Sequence, residues 1–468
     1  MREPEIPGWR GALSGAVSSL ALLLVTGCSA LPVITPDMGW RAPAPVQLDG
    51  RRGPLSANRS KAILAKLEAR GEPTGIFERH LALEEEIAGS PLVTGNRVTL
   101  LKDGPSTFQA MFDAIGGARS HVDLETYIIE DDEVGRKFAD ALVEKQAMGV
   151  QVNLIYDSVG SMKTPKAFFQ RLLDAGVKVL EFNPINPLTA KVGWDVNQRD
   201  HRKLLVIDGR TAFIGGINIS SVYSGGSFSH ASARRPDGSQ PWRDTHLQVD
   251  GPVVSEFQKL FLASWEKQKG EPLSPRVAVV PPASAGSEVV RAIGSSPDEP
   301  FSLIYATLIS AIGSAETSVS LTNAYFVPDP QLLAALIAAA ARGVDVRLIL
   351  PGKTDSWLVF HAGRSYYSEL LRGGVKLHER RGALLHAKTA LVDGVWSTVG
   401  STNLDWRSFL HNDEINAVVL GQGFGAQMRA MFDADLAASD PITLEKWERR
   451  SLGDRLKEMA ALAWKYWL

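Results

Sequence analysis

What most restricts the folds open to this chain is that it repeats itself. Phe112-Asp113-Ala114-Ile115-Gly116-Gly117-Ala118 is echoed by Ile309-Ser310-Ala311-Ile312-Gly313-Ser314-Ala315. Each run leads into a strand-like segment containing a tyrosine, 122–129 and 319–327, and then into a helical stretch, 133–148 and 331–342. Both halves turn at a glycine, Gly149 or Gly343, into an apolar strand over 150–156 or 344–350. A second helix closes at Ala175-Gly176-Val177-Lys178-Val179 and at Gly373-Gly374-Val375-Lys376-Leu377. Strand, helix, strand, helix, strand is the pattern of helices packed on a sheet. Occurring twice, it predicts an α/β fold of two pseudo-twofold-related domains, each a mixed sheet flanked by helices.

Late in each half the same constellation of polar residues returns. The first copy reads His201-Arg202-Lys203-Leu204-Leu205-Val206-Ile207-Asp208, followed by Gly215 and Asn218; the second reads His386-Ala387-Lys388-Thr389-Ala390-Leu391-Val392-Asp393, followed by Gly400, Ser401 and Asn403. His, Lys, Asp, Gly and Asn fall at identical offsets. On an extended strand, residues two apart share a face and lie roughly 7 Å apart, so each His and Lys point the same way. Asp208-Gly209 and Asp393-Gly394 predict tight hairpin turns, after which a returning strand brings Gly and Asn back. One hairpin then presents an imidazole, an ammonium and an amide to one place. A single His-x-Lys strand is commonplace; two copies with matching downstream residues, at corresponding places in a repeat, predict a functional site.

Composition limits what that site serves. Of 468 residues, 44% are hydrophobic and 22% charged, which excludes wholesale disorder and a polytopic membrane protein. Lys and Arg number 50 against 52 Asp and Glu, so there is no global basic footprint for nucleic acid. With one cysteine, neither a disulfide framework nor a cysteine-rich zinc site is available. That cysteine, Cys28, ends an apolar run from Gly11 to Thr26 that suits a signal-peptide core. Val25-Thr26-Gly27-Cys28 resembles a bacterial lipobox, in which the thiol is lipidated and the mature protein is exported and tethered to the inner or outer membrane; the other reading is an uncleaved anchor with an incidental cysteine. The expected organisation is a signal peptide (1–27), a Pro-rich tether or wrapping segment (28–79), domain 1 (80–270), a Pro- and Gly-rich linker (271–300), domain 2 (301–440) and a C-terminal amphipathic segment (441–468). In that last segment Leu452, Leu456, Met459 and Ala463 recur at helical spacing beside Arg455, Lys457 and Lys465. It reads equally as a membrane-surface helix and as a helix docked on its own domain.

The paired motif resembles the phospholipase D superfamily over about residues 80 to 440. Further runs are similar to bacterial cardiolipin synthases: Tyr127-Ile128-Ile129-Glu130-Asp131-Asp132, Trp242-Arg243-Asp244-Thr245-His246, Asn323-Ala324-Tyr325-Phe326-Val327-Pro328 and His361-Ala362-Gly363-Arg364-Ser365-Tyr366-Tyr367. The second motif continues in the same manner, through Gly400-Ser401-Thr402-Asn403-Leu404-Asp405-Trp406-Arg407-Ser408 and His411-Asn412-Asp413-Glu414-Ile415-Asn416. The resemblance implies a phosphatidyltransferase that makes cardiolipin from phosphatidylglycerol and releases glycerol. A hydrolase releasing phosphatidic acid, a nuclease and a lipid-binding module with idle motifs are the alternatives. The implied partner is a phospholipid membrane holding phosphatidylglycerol and cardiolipin, with no cofactor, metal or nucleic acid; the oligomeric state stays open.

It also implies roles. One neutral imidazole attacks phosphorus while a protonated one serves the departing alcohol, with His201 the nucleophile and His386 the acid and base. Lys203, Lys388, Asn218 and Asn403 would hold the non-bridging oxygens. A carboxylate behind each histidine is expected: Glu414 for His386, and Asp244 for His201. Asp208 and Asp393 are expected as catalytic or architectural members. Gly216 stands where the second copy has Ser401, so the halves are chemically unequal.

Overall fold

The computed structural model describes residues 46–68, 76, 80–81, 89–185, 195, 197–225, 241–273 and 281–465. Cys28, the apolar run before it and the start of the expected tether lie outside the described residues. Residues 46–68 wrap onto the body: Leu48–Gly50 is a strand, paired in parallel at Leu48–Leu92, and Ala57–Glu68 is a helix. Among the described residues no helix is long and apolar enough to cross a membrane.

The first half runs β1 (Leu92–Leu101), α1 (Gly104–Gly117), β2 (His121–Thr126), α2 (Glu133–Ala147), β3 (Gln151–Asp157), α3 (Lys166–Asp174) and β4 (Lys178–Phe182). The hairpin β5 (Lys203–Ile207) and β6 (Thr211–Gly215), strand β7 (His246–Asp250) and helix α4 (Val254–Lys267) complete it. The second half repeats the order with β8 (Glu288–Ser295), α5 (Leu303–Ser314), β9 (Ser318–Asn323), α6 (Pro330–Ala341), β10 (Asp345–Pro351), α7 (Trp357–Arg364), α8 (Tyr367–Arg372) and β11 (Lys376–Arg380). Then come the hairpin β12 (Lys388–Val392) and β13 (Trp396–Gly400), strand β14 (Asn412–Leu420) and helix α9 (Gln422–Ala437). Helix starts repeat as well. Asp132 accepts from the Gly135 N–H at the head of α2, and Asp329 accepts from Leu332 N–H at the head of α6, where a proline supplies the first turn.

Pairing runs β4-β3-β2-β5-β6-β7-β1 through one half and β8-β14-β13-β12-β9-β10-β11 through the other, joined by an antiparallel β1–β8 seam with Val93 opposite Val290. The expected two-domain α/β fold is therefore one continuous mixed sheet with helices against it. α4 and α9 cover the seam, where Phe257, Phe261, Phe424 and Met428 share an apolar cluster with Val290 and Ile415. Burial of several such side chains, each contributing about 1.5–3 kcal/mol, makes the two halves one folding body rather than two beads.

Within the span expected as linker, residues 288–295 form β8, the counterpart of β1 and one side of the seam. Its prolines all fall at 272–282 or 297–300, leaving Val289, Val290, Ala292 and Ile293 free to pair and be buried. The average composition of the span hid an apolar strand in its middle.

Asp208 and Asp393 sit at the hairpin turns with φ of 52° and 50°, each followed by a glycine of positive φ, as a tight I′-type connection requires. The Asp208 carboxylate accepts the backbone N–H groups of Arg119 (2.9 Å), Ser120 (2.7 Å) and His121 (3.0 Å). Asp393 does the same for Glu316 (3.0 Å), Thr317 (2.8 Å) and Ser318 (2.9 Å). Each carboxylate thus fixes the start of β2 or β9 against its hairpin. Asp208→Ala or Asp393→Ala should each lower stability by about 2–3 kcal/mol in urea unfolding, because orphaned N–H groups remain. Turnover per folded molecule should stay within a few-fold of the parent; loss of turnover at unchanged stability would assign these groups to the chemistry instead.

Candidate active site

Two short parallel ladders determine where the motif residues go. Arg199 and Asp200, just before the first motif, pair with Asn412 and Asp413 at the start of β14. Trp242 and Arg243 pair in the same way with Leu384 and Leu385, just before the second. One residue further along, the first ladder sets His201 beside Glu414 and the second sets His386 beside Asp244. His201 Nδ1 lies 3.0 and 3.1 Å from the two Glu414 oxygens, and His386 Nδ1 lies 2.6 Å from Asp244 Oδ2. With each Nδ1–H donating to its carboxylate, Nε2 is the nitrogen of each ring that the carboxylate leaves unused.

This exchanges the partners expected from the sequence: Glu414 serves His201 and Asp244 serves His386. The reason is strand order. β14 lies on the seam side of β13, away from the β12 hairpin strand of its own half, and β7 is placed likewise beside β6. A carboxylate at that edge reaches the opposite half. Asp244 and Glu414 are nevertheless equivalent, because His246 pairs with Gly215 as Asn416 pairs with Gly400.

Both imidazoles face one cleft of about 440 Å³, lined also by Asn218, Asn403, Trp242 and Tyr325. Lys203 Nζ donates to the His201 carbonyl at 2.5 Å and stands 5.1 Å from the centre of the Tyr127 ring. Lys388 Nζ sits 2.9 and 3.2 Å from the His386 ring nitrogens. Asn218 Oδ1 accepts from Ile128 N–H, and its amide donates to Tyr223 Oη. Among the described residues, Asn403 Oδ1 is buried without a hydrogen-bond partner, at the lining of the cleft. Asp208 and Asp393 are not brought to the cleft; each ends its hairpin strand at the far side.

The unequal pair explains itself sterically. Ser401 Oγ donates to Glu414 and also accepts from Ile415 N–H at 3.0 Å, bracing the carboxylate on His201. At Gly216 a Cβ would come within 2.3 Å of Asp244 Oδ1, so the shorter carboxylate fills the space that a serine would need.

Residues 111–224 and 308–436 match the family described as "Cardiolipin synthase, PLD-like domain". The cardiolipin synthase of Geobacillus sp. (strain WCH70) is 37% identical over 394 residues, covering 82% of this chain and 75% of that one. That of Geobacillus thermodenitrificans (strain NG80-2) is 35% identical over 423 residues, 87% of this chain and 81% of that one. The chain belongs to the cardiolipin synthase family of the phospholipase D superfamily. Its fold also matches the crystal structure of phosphatidylserine synthase from Haemophilus influenzae Rd KW20 with a TM-score of 0.64, over 82% of this chain and 99% of that chain, at 12% identity.

In this cardiolipin synthase family member, burial governs the proton affinities of the cleft. It lowers His201 to about 4, with Lys203 and Lys388 adding to the effect and Glu414 opposing it. Burial also lowers Lys203 to about 7 and Lys388 to about 8. His386 is lowered for the same reason, with Lys388 reinforcing and Asp244 opposing. For Glu414 burial acts upward, but His201 and Lys203 outweigh it and hold the carboxyl at about 2. Among the described residues no group of three or more His, Cys, Asp or Glu is arranged to hold a metal ion.

Several contributors carried little signal in the motif itself. Tyr223 Oη lies 3.2 Å from His386 Nδ1, and the Tyr127 ring meets His201 edge-on at 5.0 Å. Trp242 lies 5.0 Å from the His386 ring. Tyr127 and Trp242 fall in runs that resemble cardiolipin synthases, and Tyr127 recurs after β9 as Tyr325; Tyr223 carried no such sign.

The free cleft predicts the pH dependence of kcat/KM on a soluble short-chain substrate. The rate should rise as His201 loses its proton near pH 4, then fall as His386, held below its ordinary value, and Lys203 and Lys388, at about 7 and 8, lose theirs; a profile flat to pH 10 would contradict this. Gly216→Ser should force Asp244 off His386 and cut turnover by about 10²-fold with the far-ultraviolet spectrum unchanged.

Proposed function

We propose that the chain is a phosphatidyltransferase that makes cardiolipin from phosphatidylglycerol through a phosphohistidine intermediate. The observation that carries this reading is the pair of carboxylate-backed imidazoles facing one cleft beside two buried ammonium groups. His201 Nε2, neutral in the buried site, attacks phosphorus. The bond from phosphorus to the glycerol oxygen breaks, and His386 gives that oxygen its proton, releasing glycerol. The glycerol headgroup of a second phosphatidylglycerol then loses a hydroxyl proton to His386 and attacks the phosphohistidine. The P–N bond breaks, His201 is restored and cardiolipin leaves.

Charge supports the order of events. Alone, His386 is seldom protonated, because burial and Lys388 disfavour its charged form. A phosphodiester anion entering the cleft favours imidazolium, as Asp244 already does, so the acid is charged when substrate arrives. Lys203, Lys388 and the two asparagine amides offset the charge that grows on the non-bridging oxygens. The substrate lies in a bilayer, and the apolar run ending at Cys28 supports placing the enzyme on a membrane as a lipid-anchored, exported protein.

Incubation of the purified chain with phosphatidylglycerol labelled in the headgroup should yield cardiolipin and free glycerol in equal amounts. Phosphatidic acid in place of cardiolipin would show that water is the acceptor and redirect the reading to hydrolysis. His201→Ala and His386→Ala should each lower turnover by at least about 10²- to 10⁴-fold while leaving the fold intact. Phosphorus label trapped on the protein by a rapid quench should vanish in His201→Ala.

A further inference from the structure

The last described helix, α10 (Leu452–Leu462), is built inside out. Its buried face carries Glu458 and Ala461, whereas Leu452, Leu456 and Met459, one above another at helical spacing, are 78%, 61% and 62% exposed. Trp464, just beyond, is 56% exposed. The helix is fixed in this orientation by polar contacts. Arg450 forks onto Glu458 at 3.0 and 2.8 Å, and its guanidinium stacks on Trp447. Arg364, at the end of α7, stacks on the same tryptophan and on Phe360. A helix that merely capped its domain would turn its leucines inward and its Glu out.

α10 packs on α7, and α7 borders the cleft: Ser356, its cap, and Val359 line the cleft wall, while Trp357 between them is 51% exposed. The apolar stripe thus lies on the helix next to the one that borders the cleft. Around it the chain is mildly basic, with six Lys and Arg against four Asp and Glu between residues 444 and 465. Of these, Lys446, Arg449, Arg455 and Lys457 are exposed, as are Glu445 and Glu448; Arg449 pairs with Glu445 and Lys457 with Asp454, leaving the exposed charge positive by two. Outward leucines with tryptophans at the margin and a basic flank fit the headgroup and upper acyl zone of an anionic bilayer.

We propose that the outward face of α10, together with Trp357 of α7, is the surface by which this protein lies on an anionic phospholipid bilayer, turning the mouth of the cleft toward the lipid headgroups. The proposal deepens the phosphatidyltransferase reading and rests on it for the substrate, but not for the contact itself. Docking here lets a headgroup enter the cleft while its acyl chains remain in the bilayer. It also resolves the two readings of the C-terminal segment, since the helix is docked on its domain by one face and free on the other.

The test uses the full chain carrying C28A and M459C, labelled at position 459 with an environment-sensitive fluorophore. Vesicles of phosphatidylglycerol and phosphatidylcholine should shift its emission to the blue, and phosphatidylcholine alone should do so far less. No shift overturns the proposal. Emission already blue before vesicles are added overturns it too, by assigning the stripe to another segment of the chain or to a second copy. As a second arm, Leu452→Glu with Leu456→Glu should lower kcat/KM on vesicle phosphatidylglycerol by about 10-fold or more while turnover of monomeric short-chain phosphatidylglycerol is unchanged. Equal loss on both substrates would overturn the contact. A blue shift without any turnover would leave the membrane contact standing and sink the phosphatidyltransferase reading.

Discussion

Everything at the cleft depends on a carboxylate of one half holding the imidazole of the other. His201 and His386 are each oriented by a group that their own domain does not contain, Glu414 and Asp244 respectively. The contact follows from the two-residue ladders at Arg199–Asp200 and Trp242–Arg243, which fix the register one residue before the acid and the base meet. A half separated from its twin would keep its histidine and lysine but lose the hydrogen bond that selects the tautomer. Buried polar pairs across the seam hold the same register: Arg243 forks onto Asp435 at 3.1 and 2.7 Å, and Arg202 reaches the Glu414 carbonyl at 3.2 Å. Breaking such a buried pair from one side costs about 3–5 kcal/mol, so slipping the seam is disfavoured well before chemistry is affected.

Duplication produced a near-symmetric frame, and the departures from symmetry concentrate at the carboxylates. Asp244 with Gly216 and Glu414 with Ser401 are two solutions to one packing problem. A longer carboxylate needs a hydroxyl brace; a shorter one needs the brace removed. The consequence is that His386 keeps a short contact to an Asp and further neighbours in Tyr223 and Lys388, whereas His201 shares both oxygens of a Glu that is itself braced. Different surroundings for the two imidazoles suit a mechanism that asks one to attack and the other to carry a proton.

Much of this was legible because duplication doubles every signal. The hairpin turns at Asp208 and Asp393, the strand-helix alternation and the four motif residues at the cleft follow from spacing alone. The carboxylate pairing was not, since an assignment by nearness in sequence favours Glu414 for His386, and only the order of strands across the seam reverses it. β8 was hidden for a different reason: its apolar core of Val289, Val290, Ala292 and Ile293 is flanked by prolines on both sides, and averaging over the span erased it. Tyr223 could not be assigned from pattern at all, because it stands between Asn218 and Asp244, where the first half is longer than the second is between Asn403 and Glu414.

Burial disfavours the charged forms of Lys203 and Lys388, and the nearby Glu414 and Asp244 offset it only in part. At an effective dielectric near 20, a unit charge 4 Å away is worth about 4 kcal/mol, or roughly three pK units. An anion brought close to these groups would favour their charged forms. On the phosphatidyltransferase reading, binding and transition-state stabilisation would draw on the same two ammonium groups. Because every glycerophospholipid diester presents the same phosphate, these groups cannot choose among headgroups. Trp242, Tyr325 and Asp355 line the cleft beside the imidazoles, and the Tyr325 hydroxyl donates to the Asp355 carboxylate at 2.6 Å.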